Sequence, residues 1–152
     1  MNKLRRILLV EDSLKDIELT LEALDEHKLA NEVVVARDGT EAIDYLTSQG
    51  KFAGREPGLP AVMLLDIKMP RMNGLDVLRR LKSDGTLRTI PVVVVTSSRE
   101  EPDLAAAYEL GANAYVVKPV DFQQFADAVS QIGAFWAVLN EPPPVNSTQP
   151  IP

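Results

Sequence analysis

Four apolar segments of this chain each end in side chains that could do chemistry at a shared site. Two of the segments end in carboxylates, one in hydroxyls and one in an ammonium group. The side chains at these four ends are Glu11 and Asp12, Asp66, Thr96 and Ser97, and Lys118. Three carboxylates without histidine or cysteine suit a hard divalent ion, either Mg²⁺ or Mn²⁺. An ammonium group, a threonine hydroxyl and the backbone N–H of Ser97 beside them could bind a phosphoryl group.

The segments that position these groups are typical of buried β-strands. They are residues 7–10, 61–65, 92–95 and 114–117, and all consist mainly of apolar residues. Such continuous apolar runs indicate strands that are covered on both faces, as in a parallel sheet. Helical patterns alternate with them, which predicts an α/β domain with helices on both faces of the sheet. Ligands bind beyond the carboxyl ends of the strands in such folds, so the four ends should meet at one edge.

Polar residues mark where the predicted helices begin. Ser13 followed by Asp16 predicts a capping box at the start of the first helix. A further strand is predicted at residues 31–36, after that helix. The last helix is predicted to begin near Asp121 and to run to about Leu139.

Each group at the strand ends also has an ordinary structural explanation when it is taken alone. Glu11 and Asp12 could be acids that a helix dipole favours, and Asp66 could be a turn residue. Lys118 could be a solvated surface lysine. Four suitable strand ends nevertheless favour a common site over coincidence. At such a site a carboxylate could attack phosphorus and form an aspartyl phosphate. The Lys118-Pro119 bond could be cis, which would bend the lysine inward.

The composition limits the other classes of function. The 152 residues are enough for one domain, predicted at residues 1–140, with a proline-rich tail at 141–152 that is predicted to be disordered. The chain has no cysteine, which excludes thiol chemistry, and a single histidine, His27, which excludes a classical zinc site. A net charge of −6 argues against binding to nucleic acid. No segment resembles a signal peptide or a membrane span, so a cytoplasmic protein that does not bind membranes is predicted.

Several short motifs stand in the order found in the receiver domains of bacterial two-component response regulators. They are Glu11-Asp12, Asp66, Met69-Pro70 with Asn73-Gly74, Thr96, Gly111-Ala112 and Lys118-Pro119. From residue 7 to about residue 132 the chain therefore resembles this family, to which the chemotaxis response regulator belongs. The resemblance implies a flavodoxin-like, doubly wound sheet of five parallel strands in the order 2-1-3-4-5.

The same resemblance implies a role for each residue of the site, with Asp66 as the phosphoacceptor. The metal ligands would be Glu11, Asp12, Asp66 and the backbone carbonyl of Lys68. The residues that contact or respond to the phosphoryl group would be Lys118, the switch hydroxyl of Thr96 and the switch aromatic Tyr115. The phosphoryl group would come from a sensor histidine kinase.

Three features make the chain similar to the single-domain regulators that are paired with bacterial phytochromes. They are the loop at residues 50–60, the Arg37-Asp38-Gly39 motif, and a long last helix that ends in Phe135-Trp136. Such regulators are generally dimeric through their C-terminal region. A heptad-like stripe along the last helix also predicts a homodimer, and it consists of Phe122, Phe125, Val129, Ile132, Trp136 and Leu139. The alternative is that Trp136 folds back onto its own domain.

Two other functions compete with a phosphorylation switch. A Mg²⁺-dependent phosphatase of the haloacid-dehalogenase class would need a second acid two residues after the nucleophile, where this chain has Lys68. A degenerate receiver that serves as a constitutive interaction module would not need the complete set of site residues. The leading prediction is therefore a switch whose only enzymatic activities are its own phosphorylation and dephosphorylation.

Overall fold

The fold is an open parallel sheet with helices on both faces, as predicted. The computed structural model of the chain describes residues 6–26, 32–118 and 121–141. The strands are β1 Ile7–Val10, β2 Val33–Ala36, β3 Val62–Leu65, β4 Val92–Thr96 and β5 Ala114–Val117. The helices are α1 Leu14–Asp25, α2 Gly39–Leu46, α3 Gly74–Lys82, α4 Glu101–Glu109 and α5 Phe122–Ala134, and a π-helical turn, Phe135–Leu139, follows α5. Short 3-10 turns lie at Gly50–Phe52 and Leu87–Thr89.

All strand pairs in the described sheet are parallel, and the strand order is β2-β1-β3-β4-β5. This order confirms the flavodoxin-like fold that the family resemblance implies. Alternate side chains of a strand point to opposite faces of the sheet, so Leu8 and Leu9 enter separate cores. One core is closed by α2, α3 and α4, and the other by α1 and α5.

The central strands are buried on both faces, whereas the edge strands are not. Every residue of β1, β3 and β4 is buried. Every residue of β5 is only partly buried, so the prediction that residues 114–117 are fully covered is wrong. The physical reason is that β5 lies at the edge of the sheet and has a neighbouring strand on one side only. The second strand begins at Val33, and residue 31 of its predicted range lies outside the described residues.

The core on the α1 side extends beyond α5 into the π-helical turn. Ala137, within the π-helical turn, is only 2% exposed and joins the core on the α1 side. Trp136 packs against that core, while Phe135 is 47% exposed and contacts the Trp136 ring edge-on at 5.0 Å. Trp136 therefore folds back onto its own domain, which was the alternative to a place in the predicted dimer stripe. The side chains of Phe122 and Leu139, two members of the predicted stripe, lie outside the described part of the structure.

Two further predictions fall on residues that the structure does not describe. They are the isomer of the Lys118-Pro119 bond and the disorder of the tail beyond residue 141. Within the described ranges, no helix is long and apolar enough to cross a membrane.

Candidate functional site

The strand ends meet at one edge of the sheet because each is held there by a last ladder hydrogen bond. The N–H of Glu11 donates to the carbonyl of Ala36 at 3.0 Å, and that of Asp66 donates to the carbonyl of Val10 at 3.1 Å. The N–H of Lys118 donates to the carbonyl of Thr96 at 2.8 Å. The sheet thus fixes the main chain of Glu11, Asp66 and Lys118 independently of the contacts that their side chains make.

The three predicted acids converge at this edge. Glu11 and Asp66 are 4% and 7% exposed, and Asp12 is half-buried. Each offers one carboxylate oxygen, and these oxygens all lie within 4.8 Å of one another. The donors are oxygen atoms only, which fits a hard divalent cation and not a softer metal that prefers nitrogen or sulfur ligands. The cluster could therefore bind a divalent cation.

The ammonium group of Lys118 contacts three carboxylates at this edge. Its Nζ donates to Glu11 Oε1 at 2.8 Å and to Asp16 Oδ2 at 2.7 Å. The contact with Asp66 Oδ2 is longer, at 3.4 Å. Burial by itself would lower the pKa of Lys118, but the hydrogen bonds to Asp16 and Glu11 outweigh it and raise that pKa. The ammonium consequently remains charged throughout the physiological range.

Asp16 is the site residue that the sequence did not reveal. The predicted capping box at α1 is only half formed, because Ser13 Oγ accepts from the Asp16 N–H but no return bond is made by the Asp16 carboxylate. The Ser13 N–H donates to Glu11 Oε2 at 3.2 Å instead. The Asp16 carboxylate is thereby left to bind Lys118. In the sequence its only visible signal is an acid one turn after Asp12, which is also the pattern of a helix cap.

Burial raises the pKa of Glu11 to about 7, and the nearby charge of Asp66 adds to the effect. The hydrogen bond from Lys118 opposes this shift without cancelling it. A carboxyl group with a raised pKa favours folding while it is protonated, and that contribution is lost as the pH rises through the folded-state pKa. A divalent cation would displace the proton, so proton binding and metal binding at Glu11 compete.

We expect the metal-free protein to lose stability through Glu11 between about pH 4.5 and about pH 7. The loss should be at most about 1.4 kcal/mol per pH unit, the limit for one proton. Urea unfolding in EDTA across this window, compared between the wild type and Glu11→Gln, measures it. The free energy of unfolding of the wild type should fall relative to that of the variant. Parallel curves for the two proteins would contradict the expectation.

Thr96 and Tyr115 meet around the residue Ser98. Thr96 is fully buried, and its Oγ1 accepts from the Ser98 N–H at 3.4 Å. The Tyr115 hydroxyl donates to the Ser98 carbonyl at 3.0 Å, with the ring half-buried. The two residues that were predicted to act as a switch are therefore linked through one short segment after β4. Ser97, next to Thr96, is exposed at the same edge.

Lys68 lies between Asp66 and α4. Its backbone N–H donates to Asp66 Oδ1 at 3.3 Å. Its Nζ lies 3.4 Å from Asp103 Oδ2 and 3.9 Å from Glu100 Oε1. Asp103 also accepts a hydrogen bond from Ser98 Oγ at 2.6 Å. The loop after β3 and the loop after β4 are thus joined through the Asp103 carboxylate.

This fold and this acidic edge define a class of protein. The response regulator receiver domain family matches residues 7–130, and the chain belongs to that family. Its acidic cluster is compatible with Mg²⁺ binding and with phosphoryl acceptance. Receiver domains of response regulators pair with histidine kinases.

Within the family, the chain is similar to phytochrome response regulators. It is 38% identical over 130 residues to the response regulator Rcp1 of Synechocystis sp., covering 86% of this chain and 87% of Rcp1. The structure of Mn²⁺-bound Rcp1 covers 92% of this chain and 99% of that chain, at 36% identity and a TM-score of 0.83. Phosphorylated RcpA, a cyanobacterial phytochrome response regulator, gives a TM-score of 0.85 at 39% identity and covers 93% and 100% of the two chains. The bacteriophytochrome response regulator RtBRR is 60% identical, with a TM-score of 0.74 and coverage of 93% and 86%.

Proposed function

We propose that Asp66 accepts a phosphoryl group from the phosphohistidine of a sensor kinase in a Mg²⁺-dependent reaction. The observation that carries this proposal is the position of its carboxylate: buried at the end of β3, within 4.8 Å of two other acids and in contact with an ammonium group. The direct test is phosphoryl uptake from acetyl phosphate, which should require both Mg²⁺ and Asp66.

The chemistry of this step is a transfer between two nucleophiles. A carboxylate oxygen of Asp66 forms a bond to phosphorus as the P–N bond of the phosphohistidine breaks, and the histidine takes the leaving electron pair. Lys118 supplies a positive charge beside the incoming oxygens, and the exposed Ser97 N–H is proposed to contact one of them. Mg²⁺, held by Glu11, Asp12, Asp66 and the Lys68 carbonyl, would screen the negative charges that meet there. A cleft of about 300 Å³ beside Asp12 gives a donor access to this edge.

Two alternatives are less well supported. A haloacid-dehalogenase-type phosphatase needs an acid where Lys68 stands, and the Lys68 ammonium is already paired with Asp103 and Glu100. A degenerate receiver would not retain a converged set of three acids and a lysine. We therefore propose that the protein is not an enzyme beyond its own phosphorylation and dephosphorylation. The similarity to phytochrome response regulators supports a bacterial phytochrome as its kinase and a location in the cytoplasm.

We propose that Thr96 and Tyr115 convert phosphorylation into a change at the surface. The Thr96 hydroxyl would turn from Ser98 towards the phosphoryl group, and the bond of Tyr115 to the Ser98 carbonyl would respond. Thr96→Ala should still accept phosphate but lose the change in kinase affinity on phosphorylation, a coupling of about 1–3 kcal/mol. Calorimetric titration of the kinase with phosphorylated and unphosphorylated protein measures this coupling. Thr96→Ser keeps the hydroxyl and should retain it, and an unchanged coupling in Thr96→Ala would remove Thr96 from the mechanism.

We propose a homodimer in which Phe135 lies at the interface. Its ring is exposed beside the half-buried Trp136, and an exposed aromatic of this kind is typical of a contact surface. Phe135→Asp should give a folded monomer that still accepts phosphate, as measured by light scattering. Leu59→Asp, at a similarly exposed position, is the matched control and should leave the oligomeric state unchanged. Trp136→Asp is less suitable because Trp136 packs against its own core. A wild type that is already monomeric in both phosphorylation states would refute the dimer.

A further inference from the structure

The carboxylate of Asp16 has no role in the helix cap where it stands. The cap of α1 is made by Ser13 Oγ, and the N–H that a capping box would offer to Asp16 is bound by Glu11. The only hydrogen bond of this carboxylate in the described structure is the one from Lys118 Nζ, at 2.7 Å.

The main chain of Asp16 is held by two hydrogen bonds, which place its side chain at the start of α1. Its N–H donates to Ser13 Oγ at 3.3 Å, and its carbonyl accepts from Thr20 Oγ1 at 2.7 Å. Thr20 and the neighbouring Ile17 are buried against the sheet side of α1. The position of Asp16 is therefore set by the first turn of α1. Lys118, which follows β5, donates to it from the neighbouring end of the sheet.

Asp16 and Glu11 together draw the ammonium away from the acceptor. An ammonium group has three N–H donors. The two shortest contacts of Lys118 Nζ go to Asp16 and Glu11, at 2.7 and 2.8 Å. The contact with Asp66 is 3.4 Å, longer than both. Hydrogen bonds weaken as they lengthen, so Asp16 and Glu11 hold the ammonium more tightly than Asp66 does. The Lys118 ammonium is thereby kept from a close ion pair with Asp66.

We infer that Asp16 is a positioning residue of the phosphorylation reaction. It holds the Lys118 ammonium by a contact shorter than the one with Asp66 Oδ2, so that the charge is in place for the incoming phosphoryl group without a close ion pair to Asp66. This inference rests on the proposed function of Asp66 as the acceptor. Without Asp16, the ammonium would shorten its existing contact with Asp66 Oδ2 and compete there with the divalent cation.

The first experiment measures the contact itself in the metal-free protein. Asp16→Asn keeps the shape of the side chain and removes its charge. Glu18→Gln, on the exposed side of the same helix, removes the same charge and is the matched control. In NMR spectra that correlate the Lys118 Nζ with its protons, the wild type should give a slowly exchanging signal. That signal should shift or vanish in Asp16→Asn and persist in Glu18→Gln. A signal that is the same in all three proteins would overturn the inference.

The second experiment follows phosphorylation by acetyl phosphate and the affinity for Mg²⁺. Asp16→Asn should lower the phosphorylation rate and weaken Mg²⁺ binding by about threefold or more, the usual range for residues coupled in one network. Asp16→Glu should restore most of both, and Glu18→Gln should match the wild type. In a Lys118→Gln background, Asp16→Asn should have no further effect, because Asp16 acts through the lysine.

The outcomes separate this inference from the proposed function. A wild type that takes up no phosphate refutes the proposed function, while the NMR signal still decides whether Asp16 holds Lys118. A wild type that is phosphorylated at the same rate as Asp16→Asn refutes the positioning role. An equal effect of Asp16→Asn with and without Lys118 refutes it as well, since the residue would then act through its charge alone.

Discussion

Replacement of Asp66 by asparagine should abolish phosphoryl uptake and leave the protein folded. The amide has nearly the same shape as the carboxylate but cannot attack phosphorus. It also removes a negative charge that raises the pKa of Glu11, so the repulsion within the acidic cluster decreases. The metal-free variant should therefore be at least as stable as the wild type. In the wild type, excess EDTA should abolish uptake as completely as the substitution does.

Intact-protein mass spectrometry after incubation with acetyl phosphate and Mg²⁺ gives the fraction of phosphorylated protein directly. Asp127→Asn, an exposed acid on α5, is the matched control and should be phosphorylated like the wild type. Circular dichroism confirms that each variant is folded. If Asp66→Asn took up phosphate at the wild-type level, the acceptor would be another residue and the proposed chemistry would be wrong.

Substitution of Gly74 by alanine should damage both the fold and the site. A Cβ at this position would lie 2.3 Å from the Asp66 carbonyl oxygen and 2.8 Å from the Ile67 Cα. Both are main-chain atoms, and the Gly74 N–H donates a hydrogen bond to the Ile67 carbonyl at 3.0 Å. Neither of the two atoms can therefore move aside without moving the main chain around it. The strain must shift either the start of α3 or the end of β3. We expect a loss of about 2 kcal/mol or more in the free energy of unfolding.

The displaced main chain carries Asp66 with it, so Gly74→Ala should also bind Mg²⁺ more weakly than the wild type. Urea unfolding and calorimetric titration with Mg²⁺ measure the two effects. Gly85→Ala is the matched control, because no atom lies within 4 Å of a Cβ at that position. Its stability should change by less than about 1 kcal/mol. Equal stability of the two variants would show that the approach of α3 to β3 is not tight.

The central sheet and its acidic edge could be predicted from the sequence because the signals are local. The runs of apolar residues in β1, β3 and β4 are continuous, and each ends in its functional residue. The strand order depends on contacts between distant segments, and it came only from the family resemblance. The half-buried state of β5 could not be predicted from its residues, since it depends on which strand lies at the edge.

Two side chains near the site show why the remaining contacts could not be predicted. Asp16 has the spacing of a capping box, and its true partner is a lysine 102 residues away in the chain. A nearer acid, Glu11, took the capping role, which no local pattern reveals. Trp136 falls on a heptad-like stripe, but the π-helical turn in which it lies packs it against the core of its own domain.

The π-helical turn after α5 also decides where this domain can be cut and joined to another protein. The match to the receiver domain family ends at residue 130, whereas Ala137, in the turn, is still buried in the core. A hybrid protein spliced at residue 130 would lose Trp136 and Ala137 and leave part of the core that α1 and α5 close uncovered. Grafts of this receiver onto a foreign output module should therefore keep the chain through residue 140, and the added segment should begin only beyond the turn.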